Sequence, residues 1–377
     1  MKPRFAQHPL VAVALLLLPV SHLPAPLAAE SLELPEGFPL WQHAGSVGVG
    51  FGYKDNLTLS HVDPPDSAFE IASAEVMLFR LPWNNWQISL MAVGSDTRYF
   101  DPTPDVDAEQ NAAVSGEFVG FLGRGWKSIS TLRYAFLNQV MDVSATYGTS
   151  LPQQVLGHGL TFEQGIRNTV GSWWAGLDVS GSRYVFREPL DDYWQAGPQV
   201  RVGHYYGQGS ELSLSYQVSP LLYDTREKVD ATGAPLSGTS LRYLPQTVEL
   251  AWIQVWDEPR RWQSTTRLSF ESSQDNGTGY YDYTQYRVAE QLRYRAGGWE
   301  LSAEASVAWF EFPNQPVSLV DAQARQRTSV HAAVRGQRQL SRHWRLYAAY
   351  DYEQSLSNRD TDRYKANTVS GGIEFEF

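Results

Sequence analysis

The residues of this chain most able to do chemistry are charges placed at period two. Arg201, Arg267, Arg287, Arg293 and Arg335 each fall opposite the apolar positions of an alternating segment, and so do Glu75, Glu117, Glu249, Glu271 and Glu304. Arg133, Arg167, Arg345, Glu163 and Asp178 share that placement. Rings of charge inside a pore set ion selectivity. The same charges can instead pair and fill a polar interior, as structural ion-pair networks do. Arg267 and Arg287 flank the turn near Gln274–Gly279 and are expected to be neighbours across a hairpin, which would make one wall positive.

Two other chemistries are open to such a chain. A hydrolase at a membrane rim needs a nucleophile, a histidine base and an orienting group. The histidines after residue 29 are His43, His61, His158, His204, His331 and His343, and none lies in a hydrolase motif. His61 and His158 are read as loop residues, His331 as an interior one. The expectation is that the chain is not an enzyme and needs no cofactor or metal. Acid clusters in the long connections (Asp63 and Asp66; Asp101, Asp105 and Asp107; Glu188, Asp191 and Asp192; Asp360 and Asp362) lack fixed calcium-loop spacing, and solvated loop charge is the simpler account.

These charges need strands to position them. Val47, Val49 and Phe51 alternate with Ser46, Gly48, Gly50 and Gly52. Leu212, Leu214, Tyr216 and Val218 alternate with Glu211, Ser213, Ser215 and Gln217, and Trp299, Leu301, Ala303, Ala305, Val307 and Trp309 with Glu300, Ser302 and Glu304. Each such segment has one apolar and one wet face. Seven short turns (near 82–85, 123–125, 169–171, 207–209, 257–260, 296–298 and 341–343) alternate with eight longer connections (near 54–66, 101–110, 141–158, 187–191, 221–240, 274–279, 313–324 and 355–363), which predicts 16 strands. The fold class expected is all-β: a transmembrane, antiparallel, up-and-down β-barrel. Glu290 falls on the apolar face of its strand, and the segment around Ile253 and Val255 is apolar on both faces; a bulge would repair either.

Tryptophan follows the short turns at Trp86, Trp126, Trp173, Trp262, Trp299 and Trp344. Amphipathic rings gather at membrane–water interfaces. A second belt is expected from Tyr53, Phe100, Trp194, Tyr223, Tyr280, Phe312, Tyr350 and Tyr364. Aromatics make up 13% of a chain that has no long apolar helix, which suits a barrel in which only alternate residues meet lipid. Residues 1–29 read as a signal peptide, with Lys2 and Arg4 before the apolar run Leu10–Leu18 and cleavage after Ala29. Residues 30–42 read as a short periplasmic lead-in and 43–377 as the barrel. Loss of Lys2 and Arg4 takes the formal charge from −11 to −13, which argues against nucleic-acid binding. Cysteine is absent, so no disulfide stabilises the exported chain.

The last strand ends on Ile373, Phe375 and Phe377, with Glu374 and Glu376 on the other face. Together with the leader, the hairpin rhythm and the aromatic belts, it resembles the terminal strand of Gram-negative outer-membrane β-barrel proteins of the porin-like type. That resemblance implies that Ile373, Phe375 and Phe377 are read by the barrel-assembly machinery. It further implies a location in the bacterial outer membrane, among lipid and lipopolysaccharide, with both termini periplasmic. Tyr53-Lys54-Asp55-Asn56 is similar to a motif of barrel porins associated with exopolysaccharide systems. Gly279-Tyr280-Tyr281-Asp282-Tyr283 followed by Arg287 resembles barrel domains that elsewhere carry periplasmic tetratricopeptide repeats. The functions implied are passive diffusion of small hydrophilic solutes, an export conduit for exopolysaccharide or surface protein, or a rim-sited lipid-modifying enzyme. Self-association and export-system partners are both left open. The loops at 221–240 and 141–158 are candidates to fold inward as a constriction.

Overall fold

A computed structural model describes residues 40–83, 85–104, 106–142, 153–187, 190–318 and 321–377. The segment read as a signal peptide, most of that read as a lead-in, and residues 143–152 of the connection after Met141 lie outside the described residues, as do Asp105 and Glu188. Sixteen long strands follow one another: β1 Trp41–Lys54, β2 Ser67–Trp83, β3 Trp86–Thr103, β4 Val106–Gly123, β5 Trp126–Met141, β6 Gln153–Val170, β7 Trp173–Phe186 and β8 Tyr193–Tyr206. The second half comprises β9 Ser210–Val218, β10 Arg242–Val255, β11 Trp262–Asp275, β12 Tyr283–Ala296, β13 Trp299–Pro316, β14 Ala324–Gln339, β15 Trp344–Ser357 and β16 Tyr364–Glu376. Trp41 and Gln42, read as lead-in, already belong to β1.

Each strand pairs antiparallel with its sequence neighbours, and β16 returns to β1 with Glu376 opposite Ser46 and Thr368 opposite Lys54. This is a closed, antiparallel, up-and-down β-barrel with an even number of strands, the architecture outer-membrane barrels use. β9 does not stop at Val218 in register. Leu221–Tyr223 continues the pairing with Gln195–Tyr193 and with Tyr243 and Arg242, and only Ser219–Pro220 interrupts it. Pro220 has no amide hydrogen to give the ladder.

Alternation holds on every strand named above. Val47, Val49, Phe51, Leu212, Leu214, Tyr216, Leu301 and Trp309 are exposed on the outside. The six tryptophans after short turns also sit on the outer face, at the short-turn end. Trp86 stacks on Phe118, and Trp344 meets Phe375 edge-on.

Four expectations fail. The connection near 101–110 is no long loop: β3 runs to Thr103 and β4 starts at Val106. Polar side chains extend that hairpin, with the Asp101 amide donating to the Ser67 hydroxyl and the Val106 amide to that of Thr103. The upper aromatic belt is also thinner than expected. Tyr53, Phe100, Trp194 and Tyr350 point outward, but Tyr223, Phe312 and Tyr364 are buried, and Tyr280 packs against the cluster that holds Tyr223. Tyr223, Phe312 and Tyr364 have the inward parity of their strands, and loop residues Val229 and Leu241 pack with Tyr223, and Leu57 and Leu59 with Tyr364. Tyr216, Phe270, Tyr286 and Trp309 complete the outer belt instead.

No bulge repairs Glu290 or the Ile253 segment. β12 keeps register with β11 and β13 through Glu290, and β10 keeps register with β11 through Val255. Glu290 stays outside, opposite Thr266 and Ala305, while Ile253 stays inside, opposite Thr265. Finally, His158 is not a loop residue. It lies on the outside of β6, with its ring nitrogen 2.7 Å from the Tyr134 hydroxyl.

The barrel seam depends on one absent side chain. Gly45 and Phe377 exchange backbone hydrogen bonds of 3.0 and 3.3 Å, extending the β1–β16 ladder to the last residue. A Cβ on Gly45 would sit 2.5 Å from the Phe377 ring. That clash predicts that Gly45→Val unseats Phe377 and leaves the seam short. Heat-modifiable gel mobility should show a lower folded fraction for Gly45→Val, comparable with deletion of Phe377. Gly94→Ala, where the nearest atom would be 3.6 Å away, should fold as wild type. Equal folding of Gly45→Val and wild type would show that the seat is dispensable.

Candidate functional site

The ten charges singled out in the sequence all face the inside of the barrel, and they divide into two groups. Four have partners. Arg201 reaches Asp178 at 2.7 Å and Glu163 at 3.5 Å, and Arg293 reaches Glu300 at 3.1 Å. Arg335 pairs with Glu374, and Glu271 accepts hydrogen bonds from Tyr283 and Thr247. The other six (Arg267, Arg287, Glu75, Glu117, Glu249 and Glu304) have no hydrogen-bond or ion-pair partner among the described residues.

Register explains the unpaired group. Arg287 lies opposite Ser269 and Arg267 opposite Ala289, so the two arginines are diagonal neighbours. Diagonal residues on one face stand about 7–8 Å apart. Glu249 is opposite Ser269 on the other side, which makes it a diagonal neighbour of Arg267 without closing an ion pair. Charges of this kind are stable only in water, because burying them unpaired costs several kcal/mol each.

The long-loop end is built differently. Val229 and Leu241 of the 224–241 loop are buried against inward-facing Leu137, Val155, Phe186, Tyr193, Tyr223 and Tyr243. Tyr193, Tyr223, Tyr243 and Tyr281 meet edge to face in sequence, with centroids 5.5–6.0 Å apart. Arg226 of the loop lies 4.5 Å over the Tyr281 ring. A buried Val or Leu contributes about 1.5–3 kcal/mol, enough to hold such a loop inside. The loop is stiffened by its own hairpin, Lys228–Val229 with Pro235–Leu236. There the Thr232 hydroxyl and the Ala234 and Thr232 amides hold the Asp230 carboxyl below the usual carboxylate range. Leu57 and Leu59 of the first long loop pack likewise on Phe69, Tyr99 and Tyr364.

Buried ion pairs tie loops to the wall. Arg327 of β14 meets Asp142 beyond β5, while the part-buried pair of Lys54 and Glu109, at 3.1 Å, joins the wall strands β1 and β4. Arg325 donates to Asp362 at 2.6 Å and to the Gln315 carbonyl oxygen at 3.0 Å, with its guanidinium 4.5 Å over Phe312. The side chains of Arg325 and Asp362 are 0% exposed. Sequence reasoning missed these pairs. A usable signal was present in Arg325 and Arg327, two inward arginines at the long-loop end of one strand.

The remaining candidates are otherwise engaged. His331 faces inward with a ring nitrogen 2.8 Å from Asp351. Loop acids serve the wall or their own loops: Asp66 accepts from Tyr53, Asp192 from Arg183, and Asp191 from Thr225.

Removing one partner of a fully buried pair leaves the other charge uncompensated, which typically costs about 3–5 kcal/mol. Arg325→Met should therefore lower the denaturant midpoint of the folded barrel in detergent. Adding Asp362→Leu should recover most of the loss. A double variant as unstable as the single one would mean that packing on Phe312, not charge, carries the effect.

No family model matches the chain, and no curated protein matches it. Solved structures do. OccAB1 of Acinetobacter baumannii is 8% identical with a TM-score of 0.48, covering 89% of this chain and 96% of that one. An anion-selective porin from Comamonas acidovorans is 10% identical with a TM-score of 0.43, covering 89% and 99%. OmpT of Vibrio cholerae, described as an outer membrane protein, is 12% identical with a TM-score of 0.42, covering 89% and 97%. Likeness at this level goes no further than the barrel that strand pairing already establishes. One expectation is withdrawn, that the chain is not an enzyme: a barrel fold by itself does not decide between channel and catalyst.

Proposed function

We propose that the protein is an outer-membrane channel for small hydrophilic solutes, entered at the long-loop end through a mouth narrowed by inward-folded loops. The observation that carries this reading is the unpaired charge inside the barrel. Arg267, Arg287, Glu75, Glu249 and Glu304 lie at mid-strand, away from both mouths, and have no partner among the described residues. Their solvation requires a water-filled section. A barrel of 16 strands is wide enough to hold one. The short-turn end, with its tryptophans and both strand termini, is then periplasmic, and the long loops face outward. Phe377 on its Gly45 seat is the element offered to the assembly machinery.

Planar bilayers test this. The protein should conduct, and replacing residues 226–239 by a short Gly-Ser linker should raise the conductance severalfold by clearing the mouth. Arg267→Glu with Arg287→Glu should shift the reversal potential toward cations, more at low salt, because screening over about 8–10 Å weakens the effect at physiological ionic strength. Leu301→Val on the outer face should change neither. A correctly inserted protein that passes no current, with and without the loop, would overturn the channel reading.

A further inference from the structure

Glu290 breaks the lipid-facing pattern at its centre. Its outer-face neighbours along β12 are Val288 and Leu292, then Tyr286 and Tyr294. Tyr286 packs on Phe270 with centroids 5.1 Å apart, and Tyr294 on Trp262 at 4.5 Å. These two aromatic pairs mark the upper and lower limits of the apolar stretch. Glu290 is four residues from each. At about 3.4 Å per residue and a strand tilt of roughly 40°, the carboxyl lies about 10 Å in depth from either pair, at the middle of the apolar band.

An ionisable group at that depth is costly unless something meets it. Among the described residues, the Thr266 hydroxyl donates to Glu290 at 2.5 Å. That bond uses one lone pair, and the carboxyl's remaining edges face outward. Other outward acids are placed differently: Glu70, Asp96 and Glu311 lie toward the long-loop end, and Asp96 is paired with Arg98 at 2.9 Å. The wall beside Glu290 is low. Ala305 is opposite it on β13, and Ala332 is opposite Ala305 on β14. Small side chains let a second surface approach the backbone closely.

We propose that this face is the contact between two copies of the chain, related by a two-fold axis along the membrane normal, with Glu290 meeting Glu290 of the partner subunit. Depth selects the occupant. Copies inserted in one direction share an axis along the normal, so every residue keeps its depth in the assembly. A mid-depth carboxyl can meet only mid-depth groups of another copy. On other strands the outward mid-strand positions are apolar, as at Val49, Leu132, Leu177 and Leu214. Gln164 is polar, but its amide is already bonded to Ser128 and Ser130. The group that answers Glu290 is then the same group on the second copy. Two carboxyls sharing protons satisfy each other's free edges reciprocally. A heterologous ring would instead set Glu290 against an apolar wall.

The absence of cysteine makes the test direct, since one introduced thiol reports one contact. Leu292→Cys keeps Glu290 and places a thiol beside the axis. Treated with a short bis-maleimide in outer membranes, it should give a cross-linked homodimer, whereas Leu214→Cys should not. Glu290→Leu should weaken the dimer in detergent roughly 3- to 30-fold, read by native mass or light scattering across dilution. Glu290→Gln, whose amide can also pair reciprocally, should stay near wild type. Three outcomes overturn the proposal: no homodimer from folded Leu292→Cys, equal cross-linking at Leu214→Cys, or Glu290→Leu dissociating no more readily than wild type. Cross-linking of Leu292→Cys to a different protein would also overturn it.

Discussion

The constraint on which the rest of the structure depends is backbone closure. Within hydrocarbon no water is available to amides and carbonyls, so a sheet can cross only if its first and last strands pair. Here β1 and β16 make that pairing from Lys54 down to Gly45, and the chain's last residue supplies the last pair of backbone bonds. Closure then dictates alternation. Once the cylinder is shut, each side chain is either outside or inside, and a slip of one residue would exchange the two sets. The outward Val47, Val49 and Phe51 and the inward glycines between them follow from that one condition. Gly50 and Gly52 also leave room for Tyr347 and Phe69 to lie against the wall, since a Cβ there would come within 2.3 Å of either side chain.

This explains why the barrel was legible in the sequence. Period-two patterning is a local property, and closure turns it into a global one without further information. Strand number, the side on which Arg267 and Arg287 lie, and their diagonal relation across one hairpin could all be read from residues a few positions apart. The tryptophans after short turns were legible for the same reason: a turn fixes the depth of the residue that follows it.

The mouth was not legible because it depends on loops returning to distant strands. Arg325 finds Asp362 37 residues away, and Tyr193 is covered by Val229 and Leu241. Tyr223, Phe312 and Tyr364 were assigned to a lipid belt because they stand at strand ends, yet period two sets them on the inward parity, opposite to Tyr216, Trp309 and Ile373. What period two does not give is which residues cover them. The 101–110 connection misled in the opposite direction. Its acids and prolines suggest a loop, yet the Asp101 amide donates to the distant Ser67 hydroxyl and the Val106 amide to Thr103 within the turn, and the two strands run almost to it.

The division of interior charge by height gives the barrel its functional shape. Near the short-turn end the arginines and acids are tied together: Arg293 and Arg295 share Glu300, and Arg345 bridges Glu374 and Glu376. Near the long-loop end Arg325 and Arg327 are buried in pairs that anchor loops. Between the two, Arg267, Arg287, Glu75, Glu249 and Glu304 lack partners among the described residues. Paired charges stiffen a wall, and unpaired ones keep it wet. Arg201, bound to Asp178 and Glu163 on the β6–β8 wall, is the exception at mid-height, which leaves the β10–β13 wall as the one where solvated charge is concentrated. Glu290 lies on the outside of that same wall. Inside and outside are thus separated there by a single sheet carrying charge on both faces, and a second barrel against the outer face would shield a mid-depth carboxyl that lipid does not solvate.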